Sequence, residues 1–342
     1  MDIRGLIIDE LRKKTKVKIS DIVKKTGFSR AYIHRFFLEL KNEGKIILIG
    51  KANNAHYILS KTKGLEQAKR NLLSVHRILQ NTNLSEDLIL NEIKKDSGIF
   101  VGIPQNISNI VDYAFTEMLN NAIEHSQSKN IDIVIKKSKE NIQFSVVDKG
   151  VGIFNNIMEK KNLENHLEAI QDLIKGKQTT LPEAHSGEGI FFTSKVADIF
   201  IVKSAQKKLI FDNIVDDIFI KDTKSVSGTK VFFSIQSQSK KELIDVFNKY
   251  TDDDMEFSKT NVQVKLYKRD VEYISRSQAR RIITRLDKFK TVELDFKNVE
   301  TVGQGFADEI FRVWQAHHPE TRIIPKNANE NITFMIKRVV AT

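Results

Sequence analysis

The sequence predicts a multidomain α+β protein with three parts: a helical head ending in a hairpin, a central α/β sandwich, and a small α/β tail. Three observations predict it. The chain has 342 residues, long enough for two or three separate cores. Hydrophobic residues make up 40% and charged residues 29%, the balance of a folded chain and not of a disordered one. The apolar spacing is helical over the first forty or so residues, then mixes strand and helix patterns, and restarts with a strand after Asp252-Asp253-Asp254. The expected boundaries are 1–62, a helical connector at 63–100, 101–236 with a mixed sheet covered by helices, and 255–342.

There are no cysteines, which excludes disulfides and thiolate metal sites. The charged start Met1-Asp2-Ile3-Arg4 lacks a signal-peptide apolar core, and no run of about 18 apolar residues occurs, so no membrane contact and a cytoplasmic location are expected. The net charge of +11 is unevenly placed. Residues 1–64 hold 15 Lys+Arg against 6 Asp+Glu, a balance of +9, leaving +2 for the rest. A basic head on a nearly neutral body points to a polyanion as the head's partner.

In the head, Ile3, Leu6, Ile7 and Leu11 make one helical face. Ser20 reads as the cap of a short helix over Asp21–Lys25, and Thr26-Gly27-Phe28 as a turn. Ser29 reads as the cap of a third helix whose Ile33, Phe36, Phe37 and Leu40 face inward, leaving Arg30, Tyr32, His34 and Arg35 outward. Gly44 ends that helix, and Lys45–Gly50 with His56–Leu59 read as a hairpin. This order resembles the winged helix-turn-helix family. The resemblance implies duplex DNA as partner, the third helix entering the major groove, with Lys51 and Asn53-Asn54 as the wing. Because many such domains read two half-sites, it also implies a homodimer.

In the connector, Leu65, Ala68, Leu72, Val75 and Leu79 are expected to form one helical stripe, with His76 a surface or interface residue. Further on, Tyr113–Ser126 reads as an amphipathic helix with Glu117, Asn121 and Glu124 on one face and Asn120 to the side. An amide and a carboxylate on one face suit Mg²⁺, a hard cation that takes oxygen ligands. A strand at Asn141–Val147 then runs into Asp148-Lys149-Gly150-Val151-Gly152. A carboxylate there can accept from an adenine amino group, while the glycines let backbone approach a ligand. His185-Ser186-Gly187-Glu188-Gly189 opens a helix, where free N–H groups attract phosphate, and Ser227-Gly228-Thr229 leads into a strand at Lys230–Ile235.

These four segments, in this order, resemble the nucleotide boxes of the GHKL superfamily of ATPases and histidine kinases. The resemblance implies ATP and Mg²⁺ as ligands, with Asn121 on the metal, Asp148 on adenine, and Gly150 and Gly152 shaping the adenine pocket. It further implies Ser186, Gly187 and Gly189 around the phosphates, Thr229 supporting the adenine end, and Glu117 as general base. Phe154–His185 would be a lid from which Lys175 or Lys177 reaches the phosphates. The third segment is short, and Phe191-Phe192 replaces the usual small and Leu positions, which places the domain nearer stand-alone or anti-sigma-type members. The expected function is an ATP-dependent DNA-binding regulator with slow hydrolysis. A kinase acting on a separate protein and an ATP-binding adaptor are the alternatives.

In the tail, Val262–Tyr267 reads as a strand, Ser275 or Ser277 as the cap of a helix to Leu286, and Thr291–Phe296 as a buried strand. A glycine-bearing loop at Val299–Gly305, a helix at Phe306–Gln315 and a last strand at Ile323-Ile324-Pro325 follow. This resembles STAS domains, which implies a protein partner. The stretch Val302-Gly303-Gln304-Gly305 has no hydroxyl where that family carries a phosphorylated serine, so docking or sensing is expected there. Asp308 and Glu309 read as solvated.

Overall fold

The computed structural model describes residues 2–14, 16–49, 55–60, 73–177, 187–267, 273 and 275–341. The chain divides into two units, Met1–Val75 with Ser97–Ile99, and His76–Asp96 with Phe100–Thr342.

The first unit holds helices α1 (Ile3–Lys13), α2 (Ile19–Thr26) and α3 (Arg30–Asn42), then an antiparallel hairpin of β1 (Ile46–Ile49) and β2 (His56–Leu59). Asp2 caps α1 by accepting the Gly5 N–H at 2.9 Å. The second helix starts two residues earlier than expected, because the Asp21 carboxylate reaches back to the Lys18 N–H at 2.8 Å. Ser20 therefore lies inside α2 and does not cap it. Gly27 closes that helix at φ 72°, a left-handed position suited to glycine. Ser29 caps α3 by accepting the Tyr32 N–H. Ile3, Ile7, Leu11, Ile22, Ile33, Phe37, Leu40 and Tyr57 make the core, with Phe36 only half-buried against it. Lys51, Asn53 and Asn54 lie outside the described residues, as do Leu65, Ala68 and Leu72.

In the second unit a five-stranded sheet has the order β3-β4-β5-β7-β6: β3 (Ser74–Gln80), β4 (Asn130–Lys137), β5 (Asn141–Asp148), β6 (Ile199–Asp212) and β7 (Asp217–Gln236). The pairs β4–β5, β5–β7 and β6–β7 are antiparallel. The expected helical stripe is not met at Val75 and Leu79, which lie in the edge strand β3. Residues four apart share a face in a helix and in a strand alike, so their spacing carried no distinction. Between them Arg77 points to the same side and pairs with Glu92 at 2.7 Å and Asp96 at 3.3 Å, both on α4 (Glu86–Asp96). His76 sits on β3 with its Nε2 2.9 Å from the Asp132 carboxylate.

Helix α5 (Gln105–His125) begins eight residues before the expected start and buries a stripe from Ile107 through Phe115 to Ala122. Under it, Phe144 stacks on Phe233 at 4.8 Å and meets Phe115 edge-on at 5.4 Å. The sheet is further covered by α6 (Ile153–Lys160), α7 (His166–Leu173) and α8 (Gly189–Val196), and α9 (Leu243–Tyr250) follows it.

The tail sheet is parallel, in the order β10-β9-β8: β8 (Lys259–Gln263), β9 (Thr291–Asp295) and β10 (Arg322–Lys326). The first strand thus ends at Gln263, and Val264–Tyr267, expected as strand, is a 3₁₀ turn. Ser275 caps α10 (Arg276–Ile283) in a capping box with Gln278. The next helix is α11 (Gln304–Asp308), which continues as a π-helical turn over Glu309–Trp314 into α12 (Gln315–His317), and α13 (Glu330–Val340) ends the chain. Asp308 and Glu309 are not solvated: they are 7% and 6% exposed and ion-paired with arginines.

Candidate functional site

One cleft in the second unit gathers most of the expected ligand-binding residues. Its inner end is Asp148, the last residue of β5, whose side chain falls on the buried face of an alternating strand. The residue is 4% exposed, and its Oδ1 accepts the N–H groups of Gly150 at 2.9 Å and Thr229 at 3.2 Å. Burial pushes the carboxyl above its ordinary range, and those N–H donors pull it part of the way back.

The turn after Asp148 needs glycine for space. A β-carbon on Gly150 would fall 1.7 Å from the Ser126 carbonyl oxygen, and Gly152 stands at φ 81°. Gly228 is as confined, since its β-carbon would meet the Asp148 backbone oxygen at 2.3 Å and Oδ1 at 2.4 Å. Thr229 joins the two strands here, its hydroxyl oxygen accepting the Ile153 N–H at 2.9 Å.

Glu117 and Asn121 of α5 line the same cleft, one turn apart, with Asn120 beside them and Gly187, Glu188 and Gly189 opposite. Contact is close: a β-carbon on Gly189 would lie 1.8 Å from Glu117 Oε2. The two carboxylates at this end leave an electrostatic mark, for the half-buried Tyr113 phenol is pushed up by desolvation and then by Glu117 and Glu188. Glu124, the third residue on the expected face, is exposed and does not line the cleft. Ser186 lies outside the described residues.

The two lid lysines are not brought to the cleft. Lys175 is 2% exposed and donates to the Arg281 and Thr284 carbonyls at 3.1 and 2.8 Å. Lys177 donates to the Lys288 carbonyl at 3.1 Å and lies over the Phe289 ring at 5.4 Å. Both are drawn to tail carbonyls that lie far away in sequence, and Lys177 also to aromatic faces. The described part of the expected lid is instead helical, as α6 and α7, and contributes Asn156, Ile157 and Leu173 to the cleft wall. Sequence reasoning missed Ile157 and Leu173 because apolar positions on amphipathic helices read as ordinary core, and Asn156 because a polar side chain on such a helix reads as its solvated face. Glu188, in the middle of the glycine-rich segment, was the one missed residue with a visible signal.

Phe191 and Phe192 are buried at 3% and 0%. Phe192 stacks on Phe247 of α9 at 4.2 Å, and Phe191 meets Phe257 at 4.6 Å. Their unusual size in this segment is explained by these contacts, which fix α8 from behind.

In the first unit, Arg30, Tyr32, His34 and Arg35 are all exposed on the N-terminal half of α3. Tyr32 packs between Phe28 and Phe36, each at 5.1 Å, and the Arg35 guanidinium lies 5.1 Å from the Phe36 ring centre.

Residues 65–212 match the family model of the histidine kinase-like ATPase domain, and residues 278–333 match that of a STAS-like domain of unknown function. No curated protein matches the chain. The chain therefore carries a histidine kinase-like ATPase domain, which supports ATP binding and a function of ATPase or kinase type, and a C-terminal STAS-like domain. The first match starts well before residue 101, in keeping with β3 as part of the sheet. No helix among the described residues is long and apolar enough to cross a membrane.

Proposed function

We propose that this chain is an ATP-dependent regulator in which binding of ATP with Mg²⁺, followed by slow hydrolysis, switches the binding of duplex DNA or of a protein partner. The observation that carries the reading is the polarity of the cleft. A buried carboxylate, Asp148, closes one end, while a carboxylate, an amide and glycine backbone, Glu117, Asn121 and Gly187–Gly189, face each other at the other.

Asp148 suits adenine because a carboxylate accepts from the N6 amino group, whereas the carbonyl oxygen of guanine would be repelled. Gly152 lines the cleft, and Gly228 lets the β7 backbone close on Asp148, so the carboxylate is held at the cleft wall where a planar base would meet it. At the other end the donor set fits a magnesium ion that arrives with the nucleotide. Among the described residues no group of three or more His, Cys, Asp or Glu side chains could hold a metal. Mg²⁺ commonly relies on one or two protein oxygens plus phosphate oxygens. Asn121 would hold it, and bound there it would neutralise phosphate charge. Glu117, one turn away and pressed against Gly189, would take a proton from an attacking water as general base.

For the first unit we propose a winged helix-turn-helix reading DNA with α3. Three helices, a hairpin and a local charge of +9 support it, as do the exposed Arg30, His34 and Arg35. For ATP to move such a switch from 1:99 to 99:1, it must favour one state by about 5.5 kcal/mol.

The test is calorimetric titration of the full chain with Mg-ATP and Mg-GTP, joined to duplex-DNA binding with and without nucleotide. Adenine-selective, magnesium-dependent binding is expected, with DNA affinity falling roughly 10³-fold between 50 and 200 mM salt for about six phosphate contacts. With γ-labelled ATP, free phosphate is expected. Absence of nucleotide binding, or DNA binding indifferent to salt, overturns the corresponding half of the reading.

A further inference from the structure

The cleft wall is held from behind by the STAS-like domain. Leu173, the last residue of α7, lines the cleft. Its neighbour Asp172 is 4% exposed and takes two cations, Lys161 of the ATPase domain at 2.8 Å and Arg285 just past α10 at 2.9 Å. Three residues after Asp172, Lys175 places its buried ammonium against the Arg281 and Thr284 carbonyls at the C-terminal end of α10, where a helix leaves carbonyls unpaired and favours cations.

More bonds fix the same arm. The Thr260 hydroxyl donates to the Lys175 carbonyl at 2.6 Å, and the Gln171 amide donates to the Leu266 carbonyl at 2.8 Å. At Gly176, with φ 83°, a β-carbon would fall 2.7 Å from the Phe257 ring and 2.9 Å from Phe191. Phe191 belongs to α8, the helix that opens at the phosphate side of the cleft. Phe257 in turn packs on Phe289 at 5.3 Å, at the edge of the tail sheet. Both helices on this side of the cleft, α7 and α8, thus rest on the same tail surface.

The far end of α10 is tied as firmly. Arg276 pairs with Asp308 at 2.6 Å and Glu309 at 3.3 Å, and Arg280 with Glu309 at 2.7 Å. Those carboxylates stand where α11 passes into the π-helical turn, a departure from regular helix that often marks a functional position. Helix α10 is therefore clamped at one end to the cleft wall and at the other to α11.

From this geometry we infer that Asp172 and Lys175 are positioning residues through which the STAS-like domain sets the nucleotide affinity of the ATPase cleft, with α10 as the connecting rod. The inference rests on the adenine-nucleotide reading of the cleft. The contact has two discrete states by its chemistry. Docked, the ammonium and the carboxylate are desolvated and partnered; undocked, both return to water and α7 loses its backing. By linkage the effect runs both ways, so nucleotide in the cleft tightens the docking that improves its own affinity.

The test measures Mg-ADP affinity of the full chain by calorimetry, for wild type, Arg285→Ala, Arg285→Lys and Lys175→Met. Thermal unfolding and hydrogen exchange of the β8–β10 amides serve as the check on folding. The expected result is a loss of affinity of about fivefold or more in Arg285→Ala and Lys175→Met, with most of it restored in Arg285→Lys. Hydrogen exchange on the wild type is independent of any variant: Mg-ADP should slow exchange in α10, whose residues do not line the cleft. If wild type binds Mg-ADP, the variants bind within about twofold of it, and α10 exchange is unchanged, the coupling is refuted and the nucleotide reading stands. If wild type binds no adenine nucleotide, that reading falls and the coupling with it.

Discussion

Gly189 and Glu117 touch: the α-carbon that opens α8 lies so close to the carboxylate of α5 that an added methyl would sit 1.8 Å from Oε2. The glycine backbone that opens α8 and the proposed general base are one packed unit, although 72 positions separate them in the chain.

Gly189→Ala should therefore act as a lesion of Glu117. The methyl must expel the carboxylate or shift the first turn of α8, and ATP turnover should fall at least about a hundredfold, the low end of what a general base contributes. Glu117→Gln should match it in a phosphate-release assay while still binding Mg-ADP. Normal turnover in both variants would remove Glu117 from the chemistry.

Asp148→Asn keeps the shape of the adenine end and inverts its polarity. The amide oxygen can still accept from Gly150 and Thr229, so its NH₂ group is left facing the base amino group. ATP affinity should weaken roughly tenfold to a hundredfold, the worth of one charge-assisted hydrogen bond, with little change in melting temperature. Titration with ATP against GTP checks it, since the preference between the two bases should shrink as well.

Lys175 predicts a pH dependence of stability. Burial holds its ammonium down to about 8, against an ordinary 10.5 in the unfolded chain. Below pH 8 both states carry the proton and folding bears the full cost of desolvating it. Between about 8 and 10.5 the folded protein has lost the proton and the unfolded chain keeps it, so stability rises with pH, by about 3 kcal/mol at most. Urea unfolding at pH 7.5 and pH 9.5 should show a rise in wild type that is smaller in Lys175→Met. An equal rise in the two proteins would refute the assignment.

Phe144→Ala should be among the most damaging core changes. The ring is 1% exposed and lies between Phe115 and Phe233, so its loss leaves a cavity between the helix layer and the sheet. A destabilisation of about 3–5 kcal/mol is expected in denaturant unfolding, with nucleotide affinity falling only as the fold does.

The parts of the site legible in the sequence are those whose geometry is local. Asp148-Lys149-Gly150-Val151-Gly152 announces a strand end and a glycine turn within five residues, and the alternation of β5 already puts Asp148 on the inner face. Glu117 and Asn121 follow from helical periodicity alone. Ser29 as a cap was equally local. The misreadings have physical causes. Val75 and Leu79 satisfy helix and strand together, and only the partner strand β4 decides between them. Ser20 is a good cap by composition, yet Asp21 reaching back to Lys18 wins because it satisfies the helix start two positions earlier. Lys175 and Lys177 look like mobile phosphate ligands, but their acceptors are backbone carbonyls 109 and 111 residues downstream, which no local pattern reveals.

The sequence by itself determined the cleft-facing chemistry: which carboxylate, amide and glycines exist at the spacings that a strand end and a helix face bring together. Only the tertiary structure decided what stands behind that chemistry. It turned a supposed connector into a sheet edge, buried Phe191 and Phe192 against α9 and Phe257, and bound the expected lid arm to the STAS-like domain. The reason is that local spacing fixes the direction of a side chain relative to its own element. Which surface desolvates it depends on segments distant in the chain, whose docking is settled by packing and by the partners offered to buried charge.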